Sequence, residues 1–157
     1  MPNSLTIRFV SGKGYDSRLI EWYSDNDWSH VEIIHDGVTF GAQLNGGLGW
    51  RLADADCYKN ARKFETWAIP ITEEQEKMLT KLIIDAENAS YDWLAILSFA
   101  LGPKLRLHLK GRWICSGWIA GVLKSLNLAY IEYPLESYEP AHIRLIVTQL
   151  SGARRVE

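Results

Sequence analysis

Residues 5–10 (Leu5-Thr6-Ile7-Arg8-Phe9-Val10) alternate apolar and polar, which is the period of a half-buried strand. Ser11-Gly12-Lys13-Gly14 then turns the chain; with no third glycine it is not a dinucleotide-binding loop. A short helix is expected from Asp16 or Ser17 to Tyr23, ended by the polar run Ser24-Asp25-Asn26-Asp27. Two β-rich runs, residues 28–35 and 38–44, flank Asp36-Gly37, a strong hairpin signal. Residues 48–52 follow Asn45-Gly46-Gly47 as a third strand, and residues 63–69 alternate again as a fourth, closing at Pro70. Together these predict an antiparallel meander with one face buried.

The second half changes period. Thr72 and Gln75 have capping-box spacing ahead of a helix to about Ala89, with Met78, Leu79, Leu82, Ile83 and Ala86 on one face. Tyr91-Asp92-Trp93 leads into a nearly all-apolar helix that stops at Gly102-Pro103. After a basic loop comes a helix from Cys115 to about Leu126, ended by Asn127. Residues 142–150 are apolar enough for a last strand or docking segment. The pattern predicts an α+β fold in a single domain over residues 1–157, with the sheet from the first half and helices from the second.

Composition narrows the function classes. The chain is 47% hydrophobic and 23% charged, an ordinary globular profile, and its net charge of −2 leaves no nucleic-acid footprint. A solvated loop accounts for the local basicity of residues 104–112. Two cysteines, Cys57 and Cys115, form neither a disulfide framework nor a metal set, and no cofactor motif is present. The opening residues do not read as a signal peptide, and no apolar run approaches a membrane span, so a reducing, cytoplasmic setting is expected.

Candidate chemistry centres on Cys115. At a helix N-terminus the unsatisfied N–H groups and the macrodipole favour a thiolate, which becomes a nucleophile when a histidine reaches it. Cys57 lies in a polar stretch with nothing to activate it. Of four histidines, His30 sits within a strand, His35 at the hairpin corner, His108 in the basic loop and His142 near the end. Rigid placement favours His30 as base, with His142 the alternative. Glu32, two residues on and on the same strand face, or Gln43 across the hairpin, would orient the ring. Tyr91 is a candidate hydroxyl donor. On residue types alone, a core cysteine and a structural histidine are the commoner account of the pair.

Three short motifs add a resemblance. Cys115-Ser116-Gly117 before an apolar helix resembles the nucleophile segment of the NlpC-type papain-like peptidases, and Tyr91-Asp92-Trp93 resembles their preceding aromatic segment. The Ser29-His30-Val31 strand precedes the cysteine, as in the circularly permuted branch. That branch includes bacterial and phage proteins and lecithin-retinol-acyltransferase-like enzymes. The resemblance implies a papain-like fold, Cys115 as nucleophile, His30 as base, and Tyr91 and Ser116 as oxyanion- or substrate-adjacent groups. The third polar residue of these relatives falls on Gly41, which has no side chain. Its role therefore passes to Glu32, to Gln43, or to water.

The expected function is a cysteine hydrolase of the peptidase or amidase class, acting on an amide bond of a peptide or cell-wall-type substrate. The competing expectations are a non-catalytic binding module and a lipid acyltransferase or thioesterase. The last is prompted by the apolar residues 93–101 beside the basic loop, and would place the protein at a membrane surface.

Overall fold

The computed structural model describes residues 3–12, 27–35, 37–43, 47–52, 61–87, 89–91 and 112–157. The helix expected over residues 16–23, the apolar helix from Trp93, the basic loop, Cys57 and His108 lie outside them. Among the described residues the fold is α+β, a six-stranded antiparallel sheet with three α-helices. The alternating runs form β1 (Ser4–Ser11), β2 (His30–His35), β3 (Val38–Gln43), β4 (Gly47–Leu52) and β5 (Lys63–Pro70), and a short β8 (Arg154–Arg155) lies near the C-terminus. Gly37 takes the positive φ of 76° that the β2–β3 turn requires.

Two features of the meander differ from expectation. Strand order is β4-β3-β2-β1-β5-β8, so β5 passes β4 and pairs along the whole of β1, from Ser4↔Pro70 to Ser11↔Lys63. Burial is not confined to one face either. Leu5, Ile7 and Phe9 are buried on one side of β1 and Arg8 on the other, and Val31, Glu32 and Ile33 are buried in succession on β2. Polar alternation along these strands marks a second buried face, not solvent.

Helix α1 (Glu73–Ala86) starts as its capping box dictates: Gln75 N–H donates to Thr72 Oγ1 at 3.2 Å and Thr72 N–H to Gln75 Oε1 at 2.8 Å. It buries Leu79, Ile83 and Ala86, while Met78, expected on that face, is exposed. Gln75 Nε2 also donates to Leu126 O at 2.7 Å, tying α1 to the end of the next helix. A two-stranded parallel pair, β6 (Ser90–Tyr91) and β7 (Arg112–Trp113), leads into α2 (Cys115–Ser125).

Helix α2 is buried nearly all round, as an apolar helix without a polar face must be. Phe40 of β3 holds it on the sheet through Trp118, with ring centroids 4.9 Å apart. Gly117 lets the 3₁₀ turn Leu135–Ser137 approach closely, since a Cβ there would meet Leu135 O at 2.9 Å. Asn127 ends the helix with φ 54°.

The segment expected as a last strand or docking segment is a docked helix, α3 (Pro140–Gln149). Pro140 opens its first turn, Glu139 and His142 cap it, and Ile143 and Val147, four residues apart, face the core. The β-branched content suggested a strand; the i, i+4 spacing and the cap decided for a helix. No helix among the described residues is long and apolar enough to cross a membrane.

Candidate active site

Cys115 is the first residue of α2, and Ile114 before it provides no side-chain cap. The leading N–H groups of the helix are therefore available to the sulfur. Those of Ser116 and, from β2, Val31 help to lower its pKa. The thiol is 4% exposed. Trp118, one turn along and packed on Phe40, fixes the roll of the helix that aims Cys115 at the sheet.

His30 opens β2 and is held there by its neighbour. Ser29 N–H donates to Val10 O at 3.0 Å, and Ser29 Oγ both donates to Val10 O at 3.3 Å and accepts from Gly12 N–H at 3.0 Å. The imidazole is close enough to Cys115 for each to shift the other's pKa, and it keeps 21% of its side chain exposed. Burial pulls the His30 pKa down. Hydrogen bonds to Cys115 and Glu32, and their negative charge, outweigh it and raise the pKa to about 9. Burial pushes the Cys115 thiol up, but the hydrogen bond and charge of His30, with the Val31 and Ser116 N–H groups, bring it below the ordinary thiol range. Both shifts favour a thiolate–imidazolium pair.

Glu32 is not the solvated strand residue that its alternation suggests; it is fully buried. An unpaired buried carboxylate would cost several kcal/mol or lose its charge. Here Arg8, its direct partner on β1, donates to Oε1 from Nε at 2.9 Å and Nη2 at 2.8 Å. Arg51 of β4 donates to Oε2 from Nη2. Glu32 Oε2 lies 3.5 Å from His30 Nε2, and Arg51 Nη2 lies 3.1 Å from the same ring nitrogen.

Gly41 lies against this group. A Cβ there would stand 3.0 Å from Glu32 Cβ and 3.7 Å from His30 Nε2. The position where a third side chain was expected is thus beside the ring, and Glu32 fills the space from the neighbouring strand. Of the other residues singled out, Ser116 is buried next to Cys115. Tyr91 is on β6 opposite Trp113, two residues before the thiol, and Gln43 is paired with Gly47. The side chains of these last two lie outside the described structure. His142 is not brought to Cys115: its Nδ1 accepts the Glu139 N–H at 3.2 Å in the α3 cap. His35 is half-buried at the end of β2.

Sequence reading missed Arg8, Arg51 and Thr39. A buried glutamate demands cations, and the register would have supplied them: Arg8 opposes Glu32, and Thr39 opposes Arg51.

No protein-family model and no curated protein matches the chain. A solved structure does: the crystal structure of metalloprotein yiiX from Escherichia coli O157:H7, described as DUF1105. It is 13% identical, with a TM-score of 0.63, over 99% of this chain and 97% of that one. At this identity the likeness shows the fold alone. It also corrects the expectation of membership in the NlpC-type papain-like family, because the matching structure carries a different family description. The resemblance rested on triplets around Cys115, His30 and Tyr91. Helix-start and strand geometry shape such triplets in many chains, so they do not define a family.

Proposed function

We propose that this chain is a cysteine hydrolase of the peptidase or amidase class, cleaving an amide bond in a peptide or cell-wall-type substrate. One observation carries the reading: Cys115, at an uncapped helix start, is electrostatically coupled to a strand histidine whose Nε2 lies 3.5 Å from a buried carboxylate. The layout expected of a papain-like hydrolase, a helix-borne thiol against a sheet-borne base, enters as part of this proposal and rests on that contact alone.

In the proposed reaction the Cys115 thiolate attacks the substrate carbonyl carbon and forms a C–S bond. The N–H groups at the start of α2 stabilise the oxyanion. As the C–N bond breaks, the His30 imidazolium gives its proton to the leaving amine. Water, deprotonated by His30, then attacks the thioester, the acid departs and the proton returns to the pair. Glu32 holds the ring throughout. A cytoplasmic, reducing setting belongs to the proposal, since the chemistry needs Cys115 as a free thiol.

The E. coli protein is described as a metalloprotein. The residues of this site do not fit a metal ion. Both Glu32 oxygens bond guanidinium groups, and Arg51 puts a cation 3.1 Å from His30 Nε2. Nor does any group of three or more His, Cys, Asp or Glu side chains among the described residues suit an ion. No step is routed through a metal.

Iodoacetamide labelling and hydrolysis of a peptide-amide library test the reading together. Native protein is expected to alkylate at Cys115 well below the ordinary thiol pKa of about 8.5, and to release amine from at least one library member. Cys115→Ala is expected to lose both, with its fold intact by circular dichroism. Equal turnover in the two proteins would overturn the proposal. An ordinary thiol profile with no turnover would favour a non-catalytic binding module.

A further inference from the structure

The proposed chemistry uses Cys115, His30 and Glu32, and leaves unexplained why an arginine points at the base. Arg51 reaches the site from β4, two strands from His30 in the sheet order. Its Nε donates to Thr39 Oγ1 at 3.2 Å, and the Thr39 hydroxyl donates in turn to Arg51 O at 3.4 Å. Thr39 is fully buried, so this tether is a fixed one. From it the guanidinium presents Nη2 to both Glu32 Oε2 and His30 Nε2. Gly41, between Glu32 and Gly49 in the sheet, contributes no side chain that would separate the three groups.

We infer that Arg51 is a positioning residue for His30: tethered by Thr39 and braced on Glu32, its guanidinium stands at ring nitrogen Nε2 and bonds it when the ring is neutral, while Glu32 faces the same nitrogen when it is protonated. This rests on the hydrolase reading for its purpose, and on the four-residue geometry for its substance. A planar fork suits the task, because Nε and Nη2 bond different partners at once; a lysine ammonium has no such fixed divergence.

The arrangement has a consequence beyond orientation. Among the described residues, the charged and titratable groups at His30 are Glu32 on its own strand, Arg51 from β4 and Cys115 from α2, with Arg8 of β1 acting through Glu32. Arg51 can only donate, so its bond to Nε2 forms with the neutral ring, whereas Glu32 can only accept and bonds the protonated one. The two therefore oppose each other. Arg51 favours proton release and Glu32 favours proton retention, both at Nε2.

Histidine-selective ¹³C and ¹⁵N NMR reads this directly, with the His30 signal assigned through His30→Gln. Arg51→Ala is expected to raise the His30 titration midpoint by about one pH unit or more, the size of a unit charge removed from roughly 3 Å even in a water-like dielectric. Glu32→Gln is expected to lower it. The ring ¹⁵N shifts of Arg51→Ala are expected to show Nε2 protonated in a larger share of the neutral form. Arg51→Lys, which restores the charge without the fork, is expected to recover part of the midpoint and little of the tautomer balance.

A purely structural role for Arg51 predicts no such opposition. Midpoints that move in the same direction in Arg51→Ala and Glu32→Gln, or an unchanged midpoint and tautomer in folded Arg51→Ala, would overturn the inference. If Arg51→Ala fails to fold, Thr39→Val decides. Loss of the tether is expected to change the tautomer balance while both charges stay, and unchanged ring shifts would overturn it. None of these measurements needs a substrate. A native protein that titrates as expected but hydrolyses nothing would defeat the hydrolase reading and leave the Arg51 assignment standing.

Discussion

Two buried carboxylates flank β1, and they use the same device for different ends. Glu32 on β2 opposes Arg8, and Glu65 on β5 opposes Phe9, so the two project from opposite faces of the sheet. Each is held by two arginines. Arg144 of α3 forks onto Glu65, Nε to Oε1 at 2.9 Å and Nη2 to Oε2 at 3.0 Å, with Arg155 of β8 at 3.8 Å and Trp67 Nε1 donating as well. These partners come from the last helix and the last strand, so Glu65 fastens the C-terminal elements to the sheet. None of these partners is a histidine or a thiol. Glu32 is held as firmly, but one neighbour is a histidine electrostatically coupled to a thiol. A carboxylate clamped by arginines is a rivet; it becomes part of a reactive site only where a titratable ring stands beside it.

The comparison breaks most sharply if one arginine is taken from each cluster. Arg8 is 9% exposed in its side chain and Glu32 is fully buried, so Arg8→Ala leaves an under-compensated charge in the interior. A loss of about 3–5 kcal/mol is expected, together with a changed pH profile of Cys115 alkylation. Arg144 is 36% exposed, and Glu65 keeps Trp67 and Arg155 when it goes. Arg144→Ala is expected to cost about 1–2 kcal/mol, with the alkylation profile unmoved. Urea unfolding and iodoacetamide labelling of the two variants measure both quantities. Equal stability losses, or an alkylation profile that follows Arg144, would erase the distinction.

Acid separates the clusters next. Burial raises the Glu65 pKa, but the hydrogen bonds of Arg144 and Trp67 and the charges of Arg144 and Arg155 outweigh it and lower the pKa overall. A carboxylate with a lowered folded pKa contributes stability that is present above its unfolded pKa, about 4.3, and is lost as pH falls through the folded value. Native protein is therefore expected to lose stability below about pH 4.5, and Glu65→Gln to lose less of it over the same range. Alkylation of Cys115 near neutral pH is expected to be identical in the two. Thermal melts from pH 6 to pH 3 supply the first measurement. A Glu65→Gln variant whose melting temperature falls in parallel with native protein would show that other carboxylates govern the acid limb.

Much of this was legible in the sequence, and the illegible part has a physical cause. The hairpin at Gly37, the capping box of Thr72 and Gln75, and Cys115 at a helix start are local signals, each written within a few residues, and each is present in the structure. Glu32, expected near His30, lies 3.5 Å from its Nε2, and the roles of Cys115, His30 and Glu32 belong to the proposal. What failed was non-local. That β5 turns back to β1 depends on the whole sheet, and so does the second buried face, which brings Arg8 and Arg51, unremarked in the sequence, onto Glu32. Helix α3 was misread because Ile143, Ile146 and Val147 favour strands locally, while its cap and core contacts favour a helix. The family resemblance failed for a related reason: short motifs report local geometry, and a family is a property of the whole chain.

The smallest effect is the most direct probe of that non-local packing. Gly41 and Gly49 are directly paired on β3 and β4 and share a face, yet their surroundings differ. A Cβ at Gly41 would press on Glu32 Cβ at 3.0 Å, whereas one at Gly49 would meet nothing within 4 Å. Gly49→Ala is therefore expected to be neutral or to stabilise by a few tenths of a kcal/mol, through the lower entropy of the unfolded chain. Gly41→Ala is expected to cost about 1 kcal/mol, the low end of overpacking. It is also expected to shift the His30 titration, because Glu32 must move to admit the methyl group. Gly41→Asn supplies the polar side chain once expected at this position, and by the same crowding it is expected to lower reactivity at Cys115. Urea midpoints for the two alanine variants, with alkylation rates for all three, decide the matter. A Gly41→Asn protein with faster alkylation and an undisturbed His30 signal would mean that the position was waiting for a side chain, and that Glu32 and Arg51 do not complete the site.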